Sequence, residues 1–283
     1  LLGARLNWIM HFGRPPRFRP DVRIIQLDLA AEQVSHNVPA EVALVGDGQA
    51  VMAQLNAALA ADPWRYPEDT PWRREIAEKI EQNRRSVEAM AADDRVPMNY
   101  YRAFRDIREA IPRDAIIVSE GANTMDIGRT QLDNRDPRPR LDAGTYGTMG
   151  VGFGFAIAAA VVQQERPVVS VVGDSAFGFS GMELETICRY RLPITTIVLN
   201  NGGIGGGVED WPADRPLPPS ALSRTARYER VVEAFGGQGY YVEDPAELRP
   251  ALDKAISSGQ PSVVHVLIAP DADRKPQQFH WKT

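Results

Sequence analysis

The sequence predicts an α/β fold whose main part is a parallel sheet covered by helices on both faces. Three observations carry this. Between residues 98 and 270, four apolar runs rich in β-branched residues (115–119, 168–172, 194–199 and 263–268) read as strands. Helical stretches (151–162, 182–190, 228–235 and 245–256) separate them, and strands joined through helices run parallel. Strands that alternate with helices in this way imply a sheet covered on both faces.

The elements follow in order. Val22 to Leu29 is a short apolar run with β-branched residues, hence a strand. A second strand covers 42–45 and is closed by Gly46-Asp47-Gly48. The alanine-rich stretch 50–60 is helical in pattern. Together residues 1–60 look like the back half of a small parallel α/β domain. Residues 61–97 are rich in Pro, Trp and charge (Trp64, Pro67, Pro71, Trp72) and read as a linker with one helix. Asn99 to Ile111 is an amphipathic helix stopped at Pro112. Residues 98–270 form the main domain and 271–283 a tail. Leu1-Leu2-Gly3-Ala4-Arg5 reads like a strand end running into a loop, so the expectation is a piece of a longer chain.

Composition narrows the function classes. The chain has 283 residues, 43% hydrophobic and 24% charged, ordinary for a globular protein. A net charge of −5 points neither to nucleic acid nor to an anionic membrane. No apolar run approaches the ~18 residues that span a bilayer. The single cysteine, Cys188, rules out an internal disulfide, fits a reducing compartment and sits inside a helical pattern. Its four histidines (His11, His36, His265, His280) lack metal-site spacing. Gly150, Gly152 and Gly154 do not give a dinucleotide G-x-G-x-x-G, and no phosphate-binding G-x-x-x-x-G-K-[ST] occurs.

In parallel sheets ligands sit at the carboxyl ends of the strands. The run 168–172 ends in Gly173-Asp174-Ser175-Ala176, and the run 194–199 in Asn200-Asn201-Gly202-Gly203. Two adjacent tips thus bring a carboxylate and an amide oxygen together, hard ligands suited to Mg²⁺ that also holds phosphate oxygens. The Gly-rich stretch 202–207 would leave backbone N–H groups free to cradle a diphosphate. The competing reading is a turn or cap Asp beside an ordinary loop. Upstream, Gly144-Thr145-Tyr146-Gly147-Thr148-Met149-Gly150 is a flexible loop entering a helix, with Met149 as its large apolar side chain; core packing is the alternative. A third tip, Glu120-Gly121-Ala122-Asn123-Thr124, suits anion contacts or a plain helix cap.

Gly173-Asp174-Ser175, with 24 residues between Ser175 and Asn200-Asn201, resembles the diphosphate- and magnesium-binding motif of thiamin-diphosphate enzymes. The resemblance implies their C-terminal diphosphate domain plus part of a Rossmann-like middle domain. It implies Mg²⁺ ligation by Asp174, Asn201 and the Gly203 carbonyl. It places the cofactor against Asn123, Thr124, Gly173, Ser175, Ala176 and Ile204. Met149 would support the bent cofactor and Gly147 would offer it a carbonyl, so these two and Gly205 are the candidate catalytic positions.

Residues 119–130, 141–160 and Gln278-Phe279-His280-Trp281 resemble 2-hydroxyacyl-CoA lyases; the run 176–190 also resembles oxalyl-CoA decarboxylase. The resemblance implies cleavage of a 2-hydroxyacyl-CoA to formyl-CoA and an aldehyde or ketone, reversibly, with decarboxylation of oxalyl-CoA as the alternative. A non-catalytic remnant that holds nucleotide or cofactor is a third reading. The resemblance makes Arg129, Arg138 and Arg140 candidates for CoA phosphates, and Arg274 and Lys275 of the tail candidates for CoA contacts under a closing lid. A solvated surface is the alternative for each. Arg5 and Asp28 match positions where decarboxylase relatives hold ADP; for Asp28 a capping or turn role stands beside it.

Two departures remain. Relatives carry tyrosine after the isoleucine of Asn-Asn-x-Gly-Ile, whereas Ile204 is followed by Gly205-Gly206-Gly207. A wider pocket, slower chemistry and engineering stay open as explanations. Family members also activate the cofactor with a glutamate on a pyrimidine-binding domain that this chain lacks. The implied protein is therefore a homodimer or homotetramer with its active site at a subunit interface, expected in the cytoplasm.

Overall fold

A computed structural model describes residues 1–136, 139–208, 211–212, 214–272 and 274–275. The described residues divide into two compact units, Leu1–Glu78 and Lys79–Lys275. Among the described residues no helix is long and apolar enough to cross a membrane.

In the first unit, β1 (Ile25–Asp28) pairs in parallel with β2 (Val42–Val45), Ile25 opposite Val42. The segment Leu1–Gly3 adds to β1: the Gly3 amide donates to the Leu27 carbonyl at 2.9 Å and the Leu27 amide to that of Leu1 at 2.9 Å. The following helix, α1 (Gly48–Ala61), starts where Asp47 accepts the Ala50 N–H at 3.0 Å, satisfying one of the donors a helix start leaves open. Helix α2 (Pro71–Ala91) follows in the chain.

The second unit is a six-stranded, all-parallel sheet. Its strands are β3 (Ile116–Glu120), β4 (Arg140–Asp142), β5 (Val168–Gly173), β6 (Ile194–Asn200), β7 (Gln238–Val242) and β8 (Ser262–Leu267). Their order is β4-β3-β5-β6-β8-β7. Side chains alternate across the sheet. Val169, Val171, Ile197, Leu199, Val264 and Val266 pack on α3 (Tyr100–Ala110), α4 (Ala122–Gln131) and α9 (Pro245–Ser257). Ile116, Val118, Val168, Val172, Ile194 and Val198 face the other way, onto α5 (Gly152–Val162), α6 (Asp174–Ser180), α7 (Leu184–Arg189) and α8 (Glu229–Ala234).

The predicted α/β class and parallel sheet stand. Two strands escape a sequence reading. β4 is three residues long, Arg-Leu-Asp, at one edge of the sheet. β7 is the other edge strand, half-buried, with Gly239 where an added Cβ would lie 2.6 Å from the Glu229 carbonyl oxygen. Short edge strands need little apolar content, so neither carries the run that marks the central four.

Candidate functional site

All six strands of the second unit point the same way, so their carboxyl ends share one edge. From β3 the chain goes outward to β4 and then returns to β5 on the other side of β3, which makes β3/β5 the switch point where such sheets take ligands. The β3 and β5 tips abut on glycine. Gly121 has φ +108°, and a Cβ there would lie 3.4 Å from the Gly173 amide nitrogen; a Cβ on Gly173 would lie 3.4 Å from Thr124 Oγ1.

Asp174 opens α6 directly after the β5 tip and is 3% exposed. Its Oδ1 accepts the Ser175 N–H at 2.8 Å and its Oδ2 accepts the Gly202 N–H at 2.8 Å. One carboxylate thus ties the end of β5 to the end of β6. Asn201, also buried, accepts the Gly203 N–H on Oδ1 at 3.2 Å and donates from Nδ2 to the Gly205 carbonyl at 2.9 Å. Asn123 donates to the same carbonyl at 3.0 Å. Side chains from the β3 and β6 ends therefore converge on one main-chain oxygen of the Gly-rich loop. Thr124 and Ala176 are buried, Ser175 is half-buried and Ile204 is exposed.

The glycine cradle is narrower than the sequence suggests. Of its amides, Gly202 and Gly203 bond the Asp and Asn side chains, Ile204 donates to the Ser220 carbonyl at 2.8 Å, and Gly207 donates to that of Pro270 at 3.2 Å. Only the stretch around Gly205 and Gly206 is left to meet a phosphate. An added Cβ meets no atom within 4 Å at either position, although Gly205 has φ +81°.

Burial is the largest influence on Asp174. It outweighs the main-chain donors of Ser175, Gly202 and Gly203 and pushes the carboxyl up from 3.8 to about 6. A desolvated carboxylate of this kind fits a partner that brings positive charge. Among the described residues no three His, Cys, Asp or Glu side chains gather to hold a metal. A cation at this tip would therefore use the Asp174 carboxylate, the Asn201 amide oxygen and a main-chain carbonyl such as that of Gly203, with phosphate oxygens completing the shell. That donor set suits Mg²⁺.

One functional side chain was missed in the sequence. Glu120, the last residue of β3, is fully buried. Its Oε1 accepts the Gly150 N–H and its Oε2 accepts the Gly152 N–H at 2.6 Å. It thereby clamps the loop that carries Gly147 (exposed, φ +63°) and the half-buried Met149. The trace in the sequence is the glycine at 152, where an added Cβ would lie 2.6 Å from Glu120 Oε2. No pattern of residue types reports an acid bonded only to amides.

The arginines are engaged. Arg129 donates to Asp142 Oδ2 at 2.9 Å and lies 3.6 Å from Asp126. Arg140 is half-buried and donates to the Leu132 carbonyl at 2.6 Å, and burial pulls its guanidinium below the usual range. Arg274 pairs with Asp126 at 2.5 Å, and Lys275 Nζ donates to Asn83 Oδ1 at 3.1 Å. Arg138 and the tail residues 276–283 lie outside the described residues. In the first unit Arg5 donates to Gln33 Oε1 at 3.3 Å, while Asp28 accepts the Ala30 N–H at 2.9 Å, a turn contact.

Residues 121–266 match the family described as "Thiamine pyrophosphate enzyme, C-terminal TPP binding domain", and residues 1–55 match its central domain. The chain is 50% identical over 297 residues to 2-hydroxyacyl-CoA lyase 1 of Homo sapiens, with 100% of this chain and 51% of that protein covered. Identity to 2-hydroxyacyl-CoA lyase of Arabidopsis thaliana is 44% over 292 residues, covering 100% and 51%. Identity to oxalyl-CoA decarboxylase of Escherichia coli (strain K12) is 42% over 276 residues, covering 96% and 48%. The chain spans about half the length of these relatives. The strand tips that Asp174, Asn123 and Asn201 join lie within the matched segment, and that segment is more than half of the chain, so the chain belongs to the thiamine pyrophosphate enzymes and carries their C-terminal TPP-binding domain.

Proposed function

We propose that the protein containing this chain is a thiamin-diphosphate- and Mg²⁺-dependent 2-hydroxyacyl-CoA lyase. It would split a 2-hydroxyacyl-CoA into formyl-CoA and an aldehyde or ketone, and run in reverse. The observation that carries this reading is the convergence of the β5 and β6 ends through the bond from the Gly202 amide to Asp174. Asp174, Asn201 and the Gly203 carbonyl would hold the cation. Asn123, Thr124, Gly173, Ser175, Ala176 and Ile204 would line the cofactor. When bound, thiamin diphosphate supplies an electron sink for the carbanion left by C–C cleavage.

The chain's own residues position and enclose. Glu120 fixes the loop that carries Gly147 and Met149, and Asn123 and Asn201 fix Gly205 from two sides. Tyr146 and Ile204 on loops, Phe179 in α6 and Met182 in the 3-10 turn that follows it are exposed apolar side chains. They support an interface that keeps water from the reacting atoms, with a second subunit supplying the activating glutamate. The engaged arginines leave CoA-phosphate contacts at Arg129 conditional on exchange with Asp142. The same reading puts ADP at Arg5 and Asp28, which dialysis against labelled ADP tests separately.

The test is an assay of the full-length protein with 2-hydroxyacyl-CoA, with and without thiamin diphosphate and Mg²⁺. Formyl-CoA and aldehyde should appear only with both. Release of CO₂ from oxalyl-CoA, with no cleavage of 2-hydroxyacyl-CoA, would select the decarboxylase instead.

A further inference from the structure

Behind the β6 tip runs a chain of buried polar groups that the proposed chemistry does not use. His265, at the centre of β8, is fully buried, and Glu229 of α8 and Asn200 at the end of β6 are each 2% exposed. Arg227 Nε donates to Glu229 Oε1 at 2.6 Å, with Arg230 3.7 Å from the same oxygen. Glu229 Oε2 lies 2.7 Å from His265 Nδ1, and His265 Nε2 lies 2.9 Å from Asn200 Nδ2. Asn200 Oδ1 accepts the Gly202 N–H at 3.0 Å, the same N–H that reaches Asp174.

The network admits one direction. Reversing the Asn200 amide would set its NH₂ against the Gly202 N–H, donor against donor. Asn200 Nδ2 must therefore donate to His265 Nε2, which leaves that nitrogen unprotonated. His265 Nδ1 then carries the hydrogen and donates it to Glu229. Burial pulls this imidazole below its usual range, against the pull of Glu229, and a neutral ring is what the bonds require. Tyr228 and Tyr241 stack edge-on against it, at 5.1 and 5.2 Å.

Sheet cohesion does not require this arrangement. β6 and β8 are already paired from Thr195↔Ser262 to Asn200↔Leu267. Val263, two residues away on the same face of β8, is a fully buried apolar residue packed with Val232 of α8. A histidine and a carboxylate in that core must each be desolvated, and only full pairing makes this tolerable. The pairing ends at the turn that carries Asn201 and Gly203. We propose that Glu229 and His265 are positioning residues: by orienting Asn200 they hold the Gly202–Gly203 main chain in the arrangement that a cation-bound diphosphate needs. This rests on the proposed function.

The test uses the full-length protein and calorimetric titration of Mg²⁺ in saturating thiamin diphosphate, with Tm of the metal-free protein as a control. His265→Leu should weaken Mg²⁺ binding at least tenfold, while kcat at saturating Mg²⁺ and cofactor changes less than threefold. His265→Gln keeps one donor and one acceptor and should recover most of the loss. Should His265→Leu fail to fold, Glu229→Gln decides, with a threefold or larger weakening expected. Unchanged Mg²⁺ affinity in the variants overturns the inference, as does equal impairment of the Leu and Gln variants, which would mark a packing effect. A wild-type protein that binds neither Mg²⁺ nor thiamin diphosphate overturns the functional reading and this inference together. A wild type that binds both, with unmoved variants, overturns this inference alone.

Discussion

Two buried carboxylates stand at neighbouring strand ends and do different work. Glu120, at the end of β3, spends both oxygens on amides 30 and 32 residues downstream and so fastens a loop. Asp174, after the end of β5, bonds the amide next to it and one from the adjacent strand tip, and burial holds it near 6. The first acid serves as an internal staple. The second joins two tips while remaining a desolvated anion beside further oxygen donors. Burial alone therefore does not distinguish a structural acid from the ligand proposed at Asp174; what separates the two is whether the bonded partners come from one loop or from several parts of a site.

Exchanging the two roles by mutation gives the largest effects. Asp174→Asn should weaken Mg²⁺-dependent cofactor binding by more than the ~10–100-fold that losing an outer-shell partner costs, with a smaller change in the melting temperature of the metal-free protein, because removing a desolvated charge offsets the NH₂ group that would face a main-chain donor. Titration calorimetry and thermal melts check both halves; equal cofactor affinity in the variant would remove Asp174 from the ligand set. Glu120→Ala should do the opposite. It leaves two amides without acceptors, Gly152 among them buried, at about 1–3 kcal/mol for each desolvated group. The protein should lose on the order of 2–4 kcal/mol of stability in denaturant unfolding, and cofactor affinity should fall only as far as the loop that carries Met149 loosens. A Glu120→Ala protein as stable as wild type would refute the staple.

The same contrast explains what the sequence reveals. The central strands β3, β5, β6 and β8 are legible because burial on both faces favours runs rich in Val, Ile and Leu. Asp174, Asn201 and the glycines are legible because the proposed ligand chemistry would demand those residue types at fixed places on the strand ends. Glu120 is not, because an acceptor for main-chain amides has no partner residue type to match. His265 reads as a scattered histidine for a related reason: Glu229 and Asn200 lie 36 and 65 residues away and meet it only across the sheet. Arg129 misleads in the other direction, since its partner Asp142 belongs to the edge strand that the sequence does not announce.

A pH titration sharpens the comparison with a smaller effect. The Asp174 carboxyl sits near 6 in the fold against 3.8 unfolded, so the folded state disfavours its charged form. Without a cation the group contributes no destabilisation below about pH 4; the cost grows as pH rises through 4 to 6 and is complete above 6. A cation selects the carboxylate, so its binding should weaken as pH falls below about 6, by up to ~10-fold per unit, or about 1.4 kcal/mol. Mg²⁺ titrations at pH 5, 6, 7 and 8 read this directly. A flat profile between 5 and 7, in a range where Asp174→Asn has lost binding, would mean that the free carboxyl titrates well below 6.

The smallest effect falls on Gly205, the first of the three glycines 205–207. Its carbonyl receives Asn123 and Asn201, its φ is +81°, and a Cβ there meets no atom within 4 Å. Space is available, but the backbone conformation is one that side chains resist, at a cost of about 1 kcal/mol. Gly205→Ala should therefore lower stability by roughly that amount, with Gly206→Ala, where the backbone is not left-handed, as the control that loses less. Gly205→Tyr carries the same strain, so any change it brings to the rate or the accepted carbonyl partner must be measured against Gly205→Ala rather than against wild type. If both substitutions leave stability and kinetics unchanged, the loop relaxes freely, and the two asparagines do not fix its conformation.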